Sequence, residues 1–244
     1  MRSMDIDDSA LDDFSGVLDP FGGNDYVGFD DERDFIEKAI GQFDGEEGDS
    51  ATQTIESVSK KMDLSPIVEY FSIPEWEKET AELADFMFLV YHIEADDIVD
   101  RYTMLTQAKY SDDTMNPVWD VAHHQYHLLE HLPVFKLDSP SHYYKHWISP
   151  DRDSFSNYVF AGECWRPFFD LTGTMQDKMD HDYYDTSDPD YIQRDEPPIL
   201  NRMDVFLKRL IRGQLGERIE PGDDIYTFYE TMFEQSSAWP WSDS

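Results

Sequence analysis

Three polar residues interrupt or border the most apolar part of this chain. Asp85 stands at the head of FMFLVYHIE, and Gln107 and Lys109 lie near the end of YTMLTQAKY. An ammonium closing a strand-like apolar run is costly unless it is paired or used. A carboxylate, an amide oxygen and an ammonium gathered at one sheet edge suit metal-assisted phosphodiester hydrolysis. Mg²⁺ takes oxygen ligands in an octahedral shell and usually keeps several waters. Asp85, the Gln107 side-chain oxygen and the Ala108 backbone carbonyl are the expected ligands. Lys109 would orient or help deprotonate the attacking water and counter charge on the phosphate. The plain alternative is a strand-end lysine paired with Asp112 or Asp113, an exposed contact of little energetic weight.

These residues depend on a hairpin. Runs 85–94 and 98–109 are apolar at nearly every position, as in strands covered on both faces, and they flank the turn signal Ala95-Asp96-Asp97. A turn centred on Asp97 sets Asp85 opposite Lys109 and Met87 opposite Gln107. Asp85, Gln107 and Lys109 then share one face, whereas a shift of one residue sends Asp85 to the other. Upstream, a helix entered through Pro74 is expected to carry Glu75, Glu77, Glu79 and Glu82, bringing Glu79 or Glu82 to the same end. Downstream, VWDVAHHQYHLLEHL predicts a helix capped by Asp120 and stopped by Pro133. Short strands follow at VFKL, SHYYKHWI and SNYVF. ILNRMDVFLKRLIRGQLGERI predicts an amphipathic helix ending at Gly213 or Gly216. The expected fold is a mixed α/β arrangement, a central sheet flanked by helices.

An acid-headed strand, a hairpin, and a strand ending in Gln107-Ala108-Lys109 resemble the core of the PD-(D/E)XK nuclease superfamily, over roughly residues 75–130. The matching pieces are Ala84-Asp85-Phe86 and Gln107-Ala108-Lys109. The resemblance implies a restriction-endonuclease-like fold and a Mg²⁺-dependent nuclease, or a catalytically altered relative, acting in genome defence or mobile-element biology. It implies Asp85, Gln107 and Lys109 as catalytic residues, with Glu79 or Glu82 as the helical acid, and nucleic acid as partner, DNA rather than RNA. In this chain Gln107 stands where an acid is more usual, which removes one charge from the metal site.

Composition sets the wider frame. The 244 residues hold 53 acidic against 19 basic side chains, a formal net charge of −34. Such self-repulsion destabilises a compact state unless salt screens it, so the expected origin is the salty cytoplasm of a halophilic archaeon, or its virus. One cysteine, Cys164, excludes a disulfide framework or a Cys-rich zinc site, and no apolar run is long enough to span a membrane. A cytoplasmic protein without a membrane partner is expected. Residues 1–60 are rich in Asp and Glu and read as a partly disordered acidic extension. One helix is predicted within it at DERDFIEKAIGQF, with Asp30 or Asp31 as cap. Residues 61–218 form the expected nuclease-like core and 219–244 a tail ending in SSAWPWSDS. The acidic region or the Trp-rich tail could dock a protein partner, and a structural or adaptor protein is the competing function. His123, His127 and His131 recur at i, i+4, i+8, a spacing that can hold a transition metal. The basic residues between Arg202 and Arg218 could face phosphates or the acidic N-terminal region.

Overall fold

The computed structural model describes residues 11–14, 28–43, 45–49, 54–61, 67–71, 78–131, 135–137, 143–144, 155–163, 165–179, 184–185, 191–194, 202–223 and 226–227. The chain is a mixed α/β protein. Its helices are α1 (Glu32–Phe43), α2 (His123–His131), α3 (Thr172–Met179) and α4 (Met203–Ile211). The main sheet has the order β1-β2-β5-β6-β10-β11, with β14 also beside β6. Its strands are β1 (Glu46–Asp49), β2 (Thr54–Lys61), β5 (Phe86–Glu94), β6 (Asp97–Ser111), β10 (Ser156–Gly162), β11 (Trp165–Leu171) and β14 (Glu217–Arg218). Strands β2, β5 and β6 are antiparallel neighbours, and β10 runs parallel to β6. A parallel neighbour demands a long crossover, which here contains α2. Among the described residues two small sheets accompany the main one. One joins β3 (Ile67–Phe71), β4 (Lys78–Glu82), β8 (Phe135–Leu137) and β9 (Tyr143–Tyr144). The other joins β7 (Trp119–Ala122), β12 (Tyr184–Asp185) and β13 (Tyr191–Arg194).

β5 from Phe86 to Val90 and β6 from Thr103 to Ala108 are buried on both faces, as expected for their largely apolar character. One face carries Phe86, Phe88, Val90, Met104, Ala108 and Val159 against Phe35 and Phe43 of α1 and Phe206, Leu207 and Leu210 of α4. Toward the other face, Trp119 packs edge-on against Phe160 and donates its indole N–H to the Ala161 carbonyl at 2.7 Å. Ser156 bonds the Leu129 carbonyl of α2 at 2.9 Å. Residues 32–61, read from composition as part of an extension, contribute one helix and two strands to this layer, and Phe35, Phe43 and Ile55 are fully buried.

Several expectations are corrected. The segment expected as a helix through Pro74 ends as strand β4, Glu79 pairing with Tyr70 and Glu82 with Ile67; Pro74 lies outside the described residues. The β-prone run IVEYF gives KETAE a partner, and pairing outweighs its helical propensity. The helix predicted from Val118 starts at His123, because 119–122 pair with β13; Asp120 is therefore a strand residue opposite Gln193, three positions before the helix begins. β11 was not anticipated in WRPFFDL, since Pro167 argues against a strand. It lies at the edge of the sheet, where a missing N–H is tolerated.

Helix α4 ends where glycine permits. Gly213 has φ +62° and donates to the Leu210 carbonyl at 2.9 Å, while an added Cβ would meet the Tyr102 ring at 2.6 Å. The helix is tied to the sheet by His92, which is 1% exposed and lies 2.8 Å, through Nε2, from the Ile211 carbonyl. That bond makes Nε2 the donor and leaves Nδ1 buried without a partner. Burial holds the imidazole pKa below its ordinary value, only partly offset by the Ile211 carbonyl and Asp100. The folded state therefore keeps His92 neutral, while the unfolded chain takes up a proton below about pH 6.5. His92 thus contributes stability above that pH that is lost as pH falls. His92→Met should lower Tm at pH 7.5, and the gap from wild type should narrow towards pH 5.5. A gap independent of pH would contradict this role.

Candidate functional site

The hairpin that positions Asp85 is tighter than its sequence suggested. Ala95 and Asp96 alone form the turn, with φ of 50° and 68°, the left-handed pair of a two-residue hairpin. Glu94 faces Asp97, and an irregularity between His92 and Ile93 then shifts the register by one residue. From there to the end of β5, Phe86 faces Thr106 and Met87 faces Leu105. Asp85 therefore does not lie opposite Lys109, nor Met87 opposite Gln107. The extra residue of the bulge restores the parity that a two-residue turn would have reversed, and Asp85 still reaches Gln107.

The site follows from unequal strand lengths. β5 begins at Phe86, opposite Thr106, while β6 continues to Ser111. Beyond Thr106, no strand among the described residues meets the backbone groups of β6 that would face β5. Side-chain carboxylates take that place. Asp85 donates its own N–H to the Thr106 carbonyl at 3.1 Å, then accepts the Ala108 N–H through Oδ2 at 2.7 Å. Two residues on, the Tyr110 N–H bonds the Glu32 carboxylate. In a strand the N–H and C=O of one residue point the same way, so the Ala108 carbonyl faces this open edge too.

Glu32 arrives from α1. Asp31 Oδ1 accepts the Asp34 N–H at 2.7 Å and Asp34 Oδ2 accepts the Asp30 N–H at 3.0 Å, so the helix is capped immediately before Glu32. Just upstream, the Tyr110 hydroxyl donates to the Phe29 carbonyl at 2.6 Å. Gly28 packs so closely on the β10–β11 turn that a Cβ would sit 1.9 Å from the Glu163 oxygen. Glu32 was not anticipated as a site residue. Its signal was available: Glu32 precedes Phe35 and Ile36 by three and four positions, placing it on the helix face that packs.

Lys109, partly buried, brings positive charge to the cluster and lowers the pKa of both Asp85 and Glu32. It does not prevail. Burial is the largest influence on Asp85 and pushes its pKa up to about 7, with Glu32 and Glu82 adding to the rise, against Ala108 and Lys109. Burial likewise raises Glu32. Two half-buried acids whose pKa values burial raises, against the pull of a neighbouring lysine, form the sort of perturbed set found at functional sites.

The expected residues are only partly assembled. Asp85, Gln107, Ala108 and Lys109 meet, and Glu82, exposed at the end of β4, acts on them electrostatically. The acid that comes from a helix is Glu32. Gln107 is buried and turned with Nε2 to Asp85 Oδ2, while its Oε1 accepts from Gln125 Nε2 at 2.6 Å. Gln125 lies on α2 and was not anticipated. Among the described residues no three His, Cys, Asp or Glu side chains form a group able to hold a metal. Cation binding here would combine one or two carboxylates with the Ala108 carbonyl and water, a ligand set that suits Mg²⁺.

Elsewhere, the His123 and His127 rings stack at 6.4 Å and His127 Nδ1 lies 3.9 Å from Glu130, giving no metal group among the described residues. Arg202 pairs with Asp204, and Arg218 with Asp100 and Glu220. Cys164 and the Trp-rich tail lie outside the described residues. No helix of the described residues is long and apolar enough to cross a membrane. Comparison with protein-family models, curated proteins and solved structures finds no match for this chain.

The raised Asp85 carboxyl carries a stability consequence. Its folded pKa, about 7, lies above the value of 3.8 taken for the free side chain. The folded state binds the proton more tightly, so Asp85 costs stability increasingly as pH rises from 4 to 7 and fully above 7. Asp85→Asn keeps an acceptor for the Ala108 N–H and removes the charge. The variant should exceed wild type by on the order of 2 kcal/mol at pH 8 and match it near pH 4. Thermal unfolding across this range measures the difference; a variant less stable than wild type at pH 8 would contradict the assignment.

Proposed function

We propose that this open edge of β6 is the active site of a Mg²⁺-dependent nuclease acting on DNA, in a restriction-endonuclease-like α/β fold. The observation that carries the reading is the meeting of Asp85, Glu32 and Lys109 at the edge of β6 where β5 stops. The resemblance of Ala84-Asp85-Phe86 and Gln107-Ala108-Lys109 to the PD-(D/E)XK superfamily supports it. So does the pairing of β10 parallel to β6, which covers the far edge of β6 from Leu105 to Ser111.

The chain's own groups divide the work. Asp85 and Glu32 offer carboxylate oxygens beside the Ala108 carbonyl, and their raised pKa values favour uptake of a cation over bare charge. Bound Mg²⁺ would supply charge neutralisation at the phosphate and a more acidic water. Lys109 directs its ammonium to the attacking water and to the oxygens that gain charge in the transition state. Because Asp85 shares a proton near neutrality, cation binding should displace that proton and strengthen as pH rises through 7.

Nucleic-acid binding by a chain of net charge −34 requires screening. Molar KCl supplies it, in keeping with the halophilic origin we propose. Wild-type protein in molar KCl with Mg²⁺ should cleave DNA, and Lys109→Ala, Asp85→Ala and Glu32→Gln should each lose at least ~100-fold in rate. EDTA should abolish cleavage. Equal cleavage by wild type and Lys109→Ala, or none by either, would overturn catalysis at this edge and leave a structural or adaptor role.

A further inference from the structure

Gln107 is oriented in a way its proposed role does not explain. An amide that ligates a cation must present its oxygen. Here Nε2 meets Asp85 Oδ2 and Oε1 accepts from Gln125 Nε2 at 2.6 Å. Gln107 and Gln125 are 2% and 6% exposed, so neither amide can exchange these partners freely for water. Buried polar groups left unpaired are costly, and the orientation of one amide therefore constrains the other.

We infer that Gln125 is a positioning residue that sets which end of the Gln107 amide faces Asp85, the two amides turning together between a closed and a ligating arrangement. This rests on the reading of the β6 edge as a cation site. In the closed arrangement the Gln107 NH₂ occupies Asp85 Oδ2 and points its hydrogens into the site. In the ligating arrangement Gln107 Oε1 faces the site beside Asp85, and its NH₂ donates to Gln125, which must itself turn to present Oε1. Glutamine suits position 125 because it can donate in one arrangement and accept in the other. A side chain able only to accept, or only to donate, would fix one arrangement.

Gln125→Glu and Gln125→Lys provide those two cases. In the metal-free protein at pH 8, nuclear Overhauser contacts of the Gln107 side-chain amide protons report the orientation. Wild type and Gln125→Lys should show contact with the Ala108 N–H. Gln125→Glu should instead show contact with the γ-protons of residue 125. Mn²⁺ affinity in molar KCl should rise about threefold to tenfold in Gln125→Glu and fall by a similar factor in Gln125→Lys, about one hydrogen bond's worth. Added charge alone could move affinity in the same directions, so both substitutions are repeated with Gln107→Met. There the relay predicts no effect of residue 125, because the coupling runs through the Gln107 amide.

The outcomes separate. Overhauser contacts unchanged by Gln125→Glu, or affinity changes that persist with Gln107→Met, overturn the relay while leaving the cation site intact. Mn²⁺ affinity unaffected by Asp85→Asn overturns the cation site itself, and the metal-free contacts still decide whether Gln125 orients Gln107. Circular dichroism confirms that each variant is folded.

Discussion

The site depends on one inequality: β6 outruns β5. A strand extending past its neighbour exposes backbone N–H groups that must be satisfied. In this protein the Ala108 and Tyr110 N–H groups are met by carboxylates from two different elements, the head of β5 and the first turn of α1. A backbone requirement thereby places two acids within each other's field, next to a lysine on the same strand. Had β5 continued, the edge would have been an ordinary ladder and Lys109 a strand residue with a covered flank.

The rest of the structure holds that edge in place. β10 closes the opposite side of β6 in parallel register from Leu105 to Ser111. α1 is fixed by its cap, by the Tyr110 hydroxyl on Phe29, and by Phe35 and Phe43 in the core, which together place Glu32. α2 contributes Tyr126, Leu128 and Leu129 to the interior while bringing Gln125 to Gln107. The same desolvation that makes the hairpin stable raises the Asp85 carboxyl, so the stability of the core and the chemistry of its edge draw on one source.

Much of this was legible in the sequence, and the failures have physical causes. The β5–β6 hairpin, the α1 and α4 helices and the Gly213 stop follow from apolar runs, caps and glycine. The meeting of Asp85 with Gln107 and Ala108 was anticipated, but from a register two residues away. A left-handed Ala95-Asp96 turn and a bulge at His92–Ile93 cannot be read from an alternation pattern. β4 was read as a helix because KETAE is rich in helix formers, and its strand partner IVEYF acts at a distance in sequence. Glu32 was missed because composition assigned its whole neighbourhood to solvent, although the apolar spacing of Phe35, Ile36 and Phe43 marks a packed helix. Gln125 carried no signal: a glutamine among histidines gains meaning only when α2 crosses Gln107.

We propose that the β6 edge from Gln107 to Tyr110 takes up a divalent cation with Asp85 and Glu32. Paramagnetic broadening of backbone amide signals by trace Mn²⁺ in molar KCl locates such a cation directly. The broadening should centre on Ala108, Lys109, Tyr110, Asp85 and Glu32, be competed by Mg²⁺, and disappear in Asp85→Asn. Broadening centred elsewhere, or unchanged in that variant, would rule out a cation at this edge.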